Sequence, residues 1–164
     1  MTTGDFDPKP SEYGDAGSYP RPVGGHEPAS LGQRFLARLY DLALLSIVGF
    51  LLAVLLRVTD NILVTGLFAG LSTFIYFVAF ESTLGWTLGK KLLGLRVLGP
   101  AGAPKPTLRQ SAIRNSFALL SSIPFIGALV AIIAYIVIAV TINRSPTKQG
   151  KHDDLAGGTQ VVKG

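Results

Sequence analysis

Arg34, Arg38 and Asp41 stand in Gln33-Arg-Phe-Leu-Ala-Arg-Leu-Tyr-Asp41, where the chain passes from a polar segment into a long apolar run. Their i, i+4, i+7 spacing puts all three on one face of a helix. Asp41 can then pair with Arg38 one turn back. Arg34, ~10 Å from Asp41 along the axis, is free to meet another element. A carboxylate bracketed by guanidiniums at membrane depth supports two chemistries: it can bind a cation or pass a proton, or it can form a polar seam that sets helix packing. Either way it must face protein or water, because an ionisable group in hydrocarbon costs ~2.5–3.5 kcal/mol on insertion scales. One further carboxylate belongs with these: Glu81, which ends the second apolar run.

The elements that must position these groups read as membrane helices. Nearly half of the 164 residues are hydrophobic and only 15% are charged. Mean hydropathy is +0.43, and the apolar residues fall in blocks. From Leu39 to Leu56 the only charge is Asp41, and Ile62 to Phe80 has none. At ~1.5 Å per residue each run approaches the ~30 Å hydrocarbon thickness, so helices are expected over about 35–56 and 62–80. The link Arg57-Val-Thr-Asp-Asn61 is short enough to force antiparallel neighbours. That brings Arg34 and Arg38 to the Glu81 end and predicts an Arg–Glu81 pair. Gly66-Leu-Phe-Ala-Gly70 is a GxxxG that permits close packing, within the chain or between subunits. Residues 1–30 hold five Gly and five Pro among few aliphatic residues. They bury too little to offset the entropy of ordering, so a disordered tail without a signal-peptide pattern is expected.

Residues 81–116 carry Lys90, Lys91, Arg96, Lys105, Arg109 and Arg114 against Glu81 alone. The positive-inside rule makes this loop cytoplasmic, and the N-terminus with it. Anionic lipids are its expected partner, so the net charge of +5 reads as anchoring and not as nucleic-acid binding. Gly85-Trp-Thr-Leu-Gly-Lys90-Lys91 falls short of a phosphate loop. Its spacer is one residue short, no Ser or Thr follows the lysine, and a helix precedes it instead of a strand. Leu95 to Leu98 and the Gly/Pro-rich stretch after it read as a short strand and turn. Residues 107–122 read as an interfacial amphipathic helix, its apolar face Leu108, Ala112, Ile113 and Phe117 flanked by Arg109 and Arg114.

Phe117 to Ile142 is uncharged and longer than one crossing needs. Pro124 and Gly127 divide it, leaving a third crossing over about 125–142. Three crossings place the C-terminal tail outside, despite its basic Arg144, Lys148 and Lys151. A re-entrant hairpin bending at Pro124–Gly127 returns it inside, although the run is too short for two full crossings. Three crossings are the expectation. His152 beside two carboxylates suggests a metal ligand, but adjacent residues rarely converge on one ion and His26 lies in the tail, so a hydrogen-bonded turn is expected and no metal. With no cysteine and no paired carboxylates at a cleft, neither enzyme activity nor a cofactor is expected.

Three stretches resemble the RDD family of membrane proteins, named for one arginine and two aspartates. The Arg34–Asp41 stretch is similar to the start of the family's first helix, which places its arginine at Arg34 and its first aspartate at Asp41. Thr87-Leu-Gly-Lys-Lys-Leu-Leu-Gly-Leu-Arg-Val97, with Gly89, Lys90 and Gly94, is similar to the family's loop pattern, Leu88 standing where a proline is common. Arg114-Asn115 matches an arginine often found before the last apolar segment. His152-Asp-Asp-Leu-Ala-Gly157 resembles the C-terminal signature and makes Asp153 the second aspartate, with Gly158 an extra residue before Thr159. Order and spacing agree over residues 29–162. The resemblance implies an integral membrane protein of the bacterial envelope, with transport as a suggested role.

The expected fold is therefore all-α, with about three transmembrane helices, a small cytoplasmic β-turn and amphipathic-helix loop, and a disordered tail before a membrane domain at 31–162. A multi-pass protein of the bacterial plasma membrane is implied. One reading of function is transport of an ion or small solute, as a homo-oligomer or with membrane partner proteins, since three helices hardly enclose a pathway. The other is a structural or accessory protein whose Arg–Asp seam fixes helix packing. Asp153 can join Arg34 only if the tail lies on the N-terminal side of the bilayer.

Overall fold

The computed structural model describes residues 25–57, 62–123 and 125–164. Helix α1 (Leu31–Leu55) starts on a capping box. Ser30 Oγ accepts from the Gln33 N–H at 3.2 Å, and the Gln33 side chain accepts from the Ser30 N–H at 3.0 Å. Helix α2 (Ile62–Leu84) runs back beside it, joined by the Tyr76 hydroxyl donating to Asp41 at 2.7 Å. Both helices contain stretches long and apolar enough to cross a membrane, and protein buries only 6% of one and 22% of the other. Bare apolar surface on that scale suits lipid. The residues of α1 that protein does bury are Arg34, Ala37 and Asp41. The link expected at 57–61 lies outside the described residues beyond Arg57.

After α2 the chain builds a polar cap. Thr87 caps α3 (Leu88–Leu92), and α3 lies directly on α1. A Cβ at Gly89 would overlap the Ala37 carbonyl oxygen and come within 3.0 Å of the Asp41 Cγ, so only glycine permits this approach. Strand β1 (Leu95–Leu98) pairs antiparallel with β2 (Gln160–Lys163), Leu95 opposite Lys163 and Leu98 opposite Gln160. Residues 27–29 extend the sheet: the Ala29 N–H donates to Val161 O and the Lys163 N–H to Glu27 O, both at 2.9 Å. Ala29, Ala37, Leu95, Val97 and Val161 form a small core beneath it. The expected disorder of residues 1–30 is thus corrected for 25–30, because the β2 edge offers backbone groups that these residues satisfy. Residues 1–24 lie outside the described residues.

The 107–122 segment departs from expectation in two ways. It is α-helical only as α4 (Leu108–Asn115), then 3₁₀ over Ser116–Ser122. Ser116 Oγ and Ser121 Oγ donate to carbonyls three residues back, at 2.9 and 2.8 Å, which competes with regular α-helix bonding. The polar side of α4 is also sealed against protein: Ser111, Arg114 and Asn115 are buried while Leu108 is 65% exposed, because the carboxylates beneath α4 attract that side.

The Phe117–Ile142 run is a hairpin whose two ends lie at the same end of the bundle. Asn115 donates to Glu81 near the end of α2. Ser122 reaches Gly70, where a Cβ would overlap the Ser122 Oγ and stand 3.0 Å from the Ser121 Oγ. At ~1.5 Å per residue that is about 16 Å along α2, roughly half the hydrocarbon thickness. Helix α5 (Gly127–Arg144) then climbs back: Tyr135 meets Arg38, and Thr141 accepts from the Lys151 N–H at the start of α6 (Lys151–Leu155). Pro124, at the expected bend, lies outside the described residues. Gly70 of the GxxxG packs within the chain, whereas Gly66 meets open space. The tail expected beyond a third crossing instead lies against the start of α1. The described chain ends meet at one end of α1 and α2, because Arg34 on α1 is answered by Asp153 of the tail.

The chain has no native cysteine, so single-cysteine variants test this arrangement in intact cells with a membrane-impermeant thiol reagent. Gly32→Cys and Leu155→Cys should respond alike, and Arg57→Cys oppositely. Leu155→Cys labelling with Arg57→Cys would restore the third crossing.

Candidate functional site

Three buried carboxylates gather where α1, α2, α3, α4 and α6 converge. Asp41 comes from α1 and is met by neutral donors only: the Tyr76 hydroxyl (2.7 Å), the Thr87 hydroxyl (2.6 Å) and the Gly89 N–H (2.7 Å). The α3 cap thus closes on the first helix through Asp41. The expected Asp41–Arg38 pair does not form, because these donors occupy both oxygens from the α2 and α3 side.

Arg38 instead turns across the bundle. Its Nη1 donates to Asn115 Oδ1 at 3.2 Å and its Nη2 to the Tyr135 hydroxyl at 3.3 Å. The guanidinium carbon lies 3.5 Å from the centre of the Phe77 ring, a cation–π contact. The Arg38 Nε is buried and has no hydrogen-bond partner.

Glu81 and Asp153 belong to one chain of charge. Lys90 bonds to Glu81 Oε1, and the other oxygen takes Arg114 Nε at 3.3 Å and the Asn115 amide at 2.9 Å. Arg114 continues to Asp153 Oδ1 at 2.5 Å, and Arg34 Nη1 meets Asp153 Oδ2 at 2.9 Å. Thr159 and the Gly150 N–H complete the shell of Asp153. Arg34 further donates to the carbonyls of Ala29 and Val161, both at 3.3 Å, and so binds the sheet to α1. The expected pairing of Glu81 with Arg34 or Arg38 does not form, and Arg114 of α4 meets Glu81 instead. Arg34 and Arg38 are drawn off to Asp153 and to the aromatic cluster.

Of the sequence-derived candidates, the fold joins Arg34 to Asp153, and Glu81 to Lys90 and Arg114; Gly89 holds Asp41. Gly94 stands apart at φ +63, its carbonyl accepting from the Gly164 N–H at 2.8 Å beside the sheet. Tyr76, Thr87, Asn115, Tyr135 and Thr159 escape sequence reasoning, since uncharged donors carry no mark in an apolar run (Tyr76, Tyr135) or in a polar segment (Thr87, Asn115, Thr159). Thr87 alone carries a signal, an N-cap residue ahead of Gly89-Lys90.

Burial works against ionisation of Asp153, but Arg114, His152 and Arg34 around it outweigh burial and hold its carboxyl well below the usual range. His152 lies edge-on to Phe117, with its Nε2 3.6 Å from Asp153 Oδ1. Burial pushes its imidazole down to about 4, Asp153 opposing and Arg114 and Arg34 assisting.

Two outcomes follow. Asp153→Asn leaves Arg34 and Arg114 without their shared anion, and removing one partner of a buried pair costs ~3–5 kcal/mol; thermal unfolding in detergent should show the loss at neutral pH. His152 protonates near its ordinary value of 6.5 when unfolded and only near 4 when folded. The unfolded state therefore binds more protons between those values, and folding stability falls as pH drops from about 6.5 to 4. His152→Asn should flatten that part of a pH–stability profile, and an unchanged slope would show that His152 does not cause it.

A family model described as the RDD family matches residues 28–157. Comparison with curated proteins gives no match, and comparison with solved structures gives none. The family match takes in Arg34, Asp41, Glu81, Lys90, Arg114 and Asp153, so it covers the whole charged assembly. With two long apolar helices that suit a membrane location, the chain belongs to the RDD family.

Proposed function

We propose that this protein is a structural or accessory component of the bacterial plasma membrane whose buried charges clamp its polar cap onto its membrane helices. The supporting observation is saturation. Every oxygen of Asp41, Glu81 and Asp153 accepts at least one hydrogen bond or ion pair from another element of the chain. An ion-carrying carboxylate must exchange partners, whereas a clamp must keep them. Transport of an ion or small solute through Asp41 would require breaking three short hydrogen bonds.

In this reading α1 and α2 cross the bilayer and the Ser116–Arg144 hairpin enters halfway. The cap and both described chain ends face the cytoplasm. Lys90, Lys91, Arg96, Lys105, Arg109, Arg114, Arg144, Lys148, Lys151 and Lys163 lie at that end, and Arg57 at the other, the asymmetry that the positive-inside rule associates with a cytoplasmic face. Lys91 over the Trp86 ring at 4.2 Å forms an amphipathic contact suited to anionic lipid at the interface. Membrane partner proteins, or further copies of this chain, are what a clamp of this kind would present its surfaces to.

Reconstitution distinguishes clamp from carrier. Asp41→Asn should reduce thermal stability by ~1–3 kcal/mol, the usual consequence of disturbing a buried hydrogen-bond set. Proton and cation flux in proteoliposomes should equal that of empty vesicles for wild type and variant alike. Flux above that background, abolished by Asp41→Asn in a variant that melts like wild type, would overturn the clamp.

A further inference from the structure

Arg38 lines a cavity of about 400 Å³ between α1 and α5, in the size range of small-ligand sites. Its walls are apolar and run out to Phe35, Leu39 and Ile136, all more than half exposed. The opening therefore faces sideways, towards the lipid that surrounds α1. Its lining holds four cations (Arg34, Arg38, Lys90 and Arg114) and two carboxylates (Asp41 and Glu81), and Asp153, which is not a wall residue, pairs with Arg34 and Arg114. The oxygens of those carboxylates are already engaged, and Arg38 has no carboxylate within 4.0 Å among the described residues. Its partners are an amide oxygen, a hydroxyl and three aromatic rings, and its buried Nε–H has no acceptor.

A guanidinium in hydrocarbon normally snorkels to water. Arg38 is held inward by Asn115, Tyr135 and Phe77, so its charge stays in the cavity and must be answered there. It lies about 10 Å along α1 from Leu31, at ~1.5 Å per residue, some two turns into the helix. We propose that the cavity is a binding site for one anionic phospholipid, its phosphate on Arg38 and an acyl chain in the gap between α1 and α5 against Phe35, Leu39 and Ile136. An anion there balances the excess positive charge of the cluster, and guanidinium matches phosphate geometry. The apolar wall supplies what a free phosphate would leave unused. This site is separate from the Lys91–Trp86 contact on the outer loop, and it goes beyond the clamp: lipid can bind whether or not the carboxylates carry ions.

Thermal unfolding in a neutral detergent tests the site, with dioctanoyl phosphatidylglycerol, dioctanoyl phosphatidylcholine or inorganic phosphate added separately. Phosphatidylglycerol should raise the melting temperature saturably, and the other two should not. Arg38→Gln should weaken that dependence at least tenfold. Ile136→Trp, which fills the groove from an exposed position and leaves Arg38 intact, should do the same, and it decides the matter if Arg38→Gln does not fold. Lys91→Gln should respond as wild type. An equal shift with phosphatidylcholine or phosphate overturns the site, as does full phosphatidylglycerol response in Ile136→Trp or its loss in Lys91→Gln.

Discussion

Glu81 and Asp153 carry negative charge into a region that water does not reach, and one guanidinium, Arg114, answers both. A carboxylate so buried is tolerable only when paired and hydrogen-bonded. Position therefore follows from charge. Once α2 places Glu81 at its end, α4 must present Arg114 to it, and once Arg114 is there the tail must deliver Asp153. The orientation of α4 is the clearest effect. Leaving Leu108 and Ile113 outward is acceptable beside lipid, while leaving Arg114 outward would strand two anions. Buried ion pairs add little net stability over well-packed apolar residues, and what they supply here is a single permitted arrangement of five elements.

The hydrogen bonds of Asp41 act on a second joint. Three neutral donors from α2, the Thr87 cap and α3 converge on it, and Gly89 lets the α3 backbone rest on Ala37. The two joints meet one face of the same helix two turns apart: Asp41 holds the loop that follows α2, and Arg34 holds β2. Helix α1 is almost bare of protein elsewhere, so these few residues bear most of its tertiary attachment.

Much of this is legible in the sequence. Long uncharged runs identify α1 and α2, charges inside or beside such runs identify Arg34, Asp41 and Glu81 as needing partners, and the family resemblance adds Asp153. The partnerships are less legible. Helical spacing makes Arg38–Asp41 the natural pair, but spacing does not register that Tyr76, Thr87 and Gly89 reach Asp41 first. Hairpin geometry correctly brings an arginine end to Glu81, yet Lys90 and Arg114 arrive from the loop and displace Arg34 and Arg38. The hairpin is hidden for a similar reason. Phe117 to Ile142 is long and apolar enough to suggest a span, and only the meeting of Arg34 with Asp153 shows that the chain must turn back.

The contact between Arg34 and Asp153 spans 119 positions of sequence, whereas that between Lys90 and Glu81 spans 9. Because chains emerge from their N-terminus and loop closure grows less favourable with length, the assembly has a built-in order. The Glu81–Lys90 contact can close as soon as the second helix and its loop exist. Arg114 can then dock, but Arg34 must wait, uncompensated, until synthesis has passed Asp153. A segment made late is thus the latch on a helix made early, and a nascent chain that stops before Asp153 leaves that latch open.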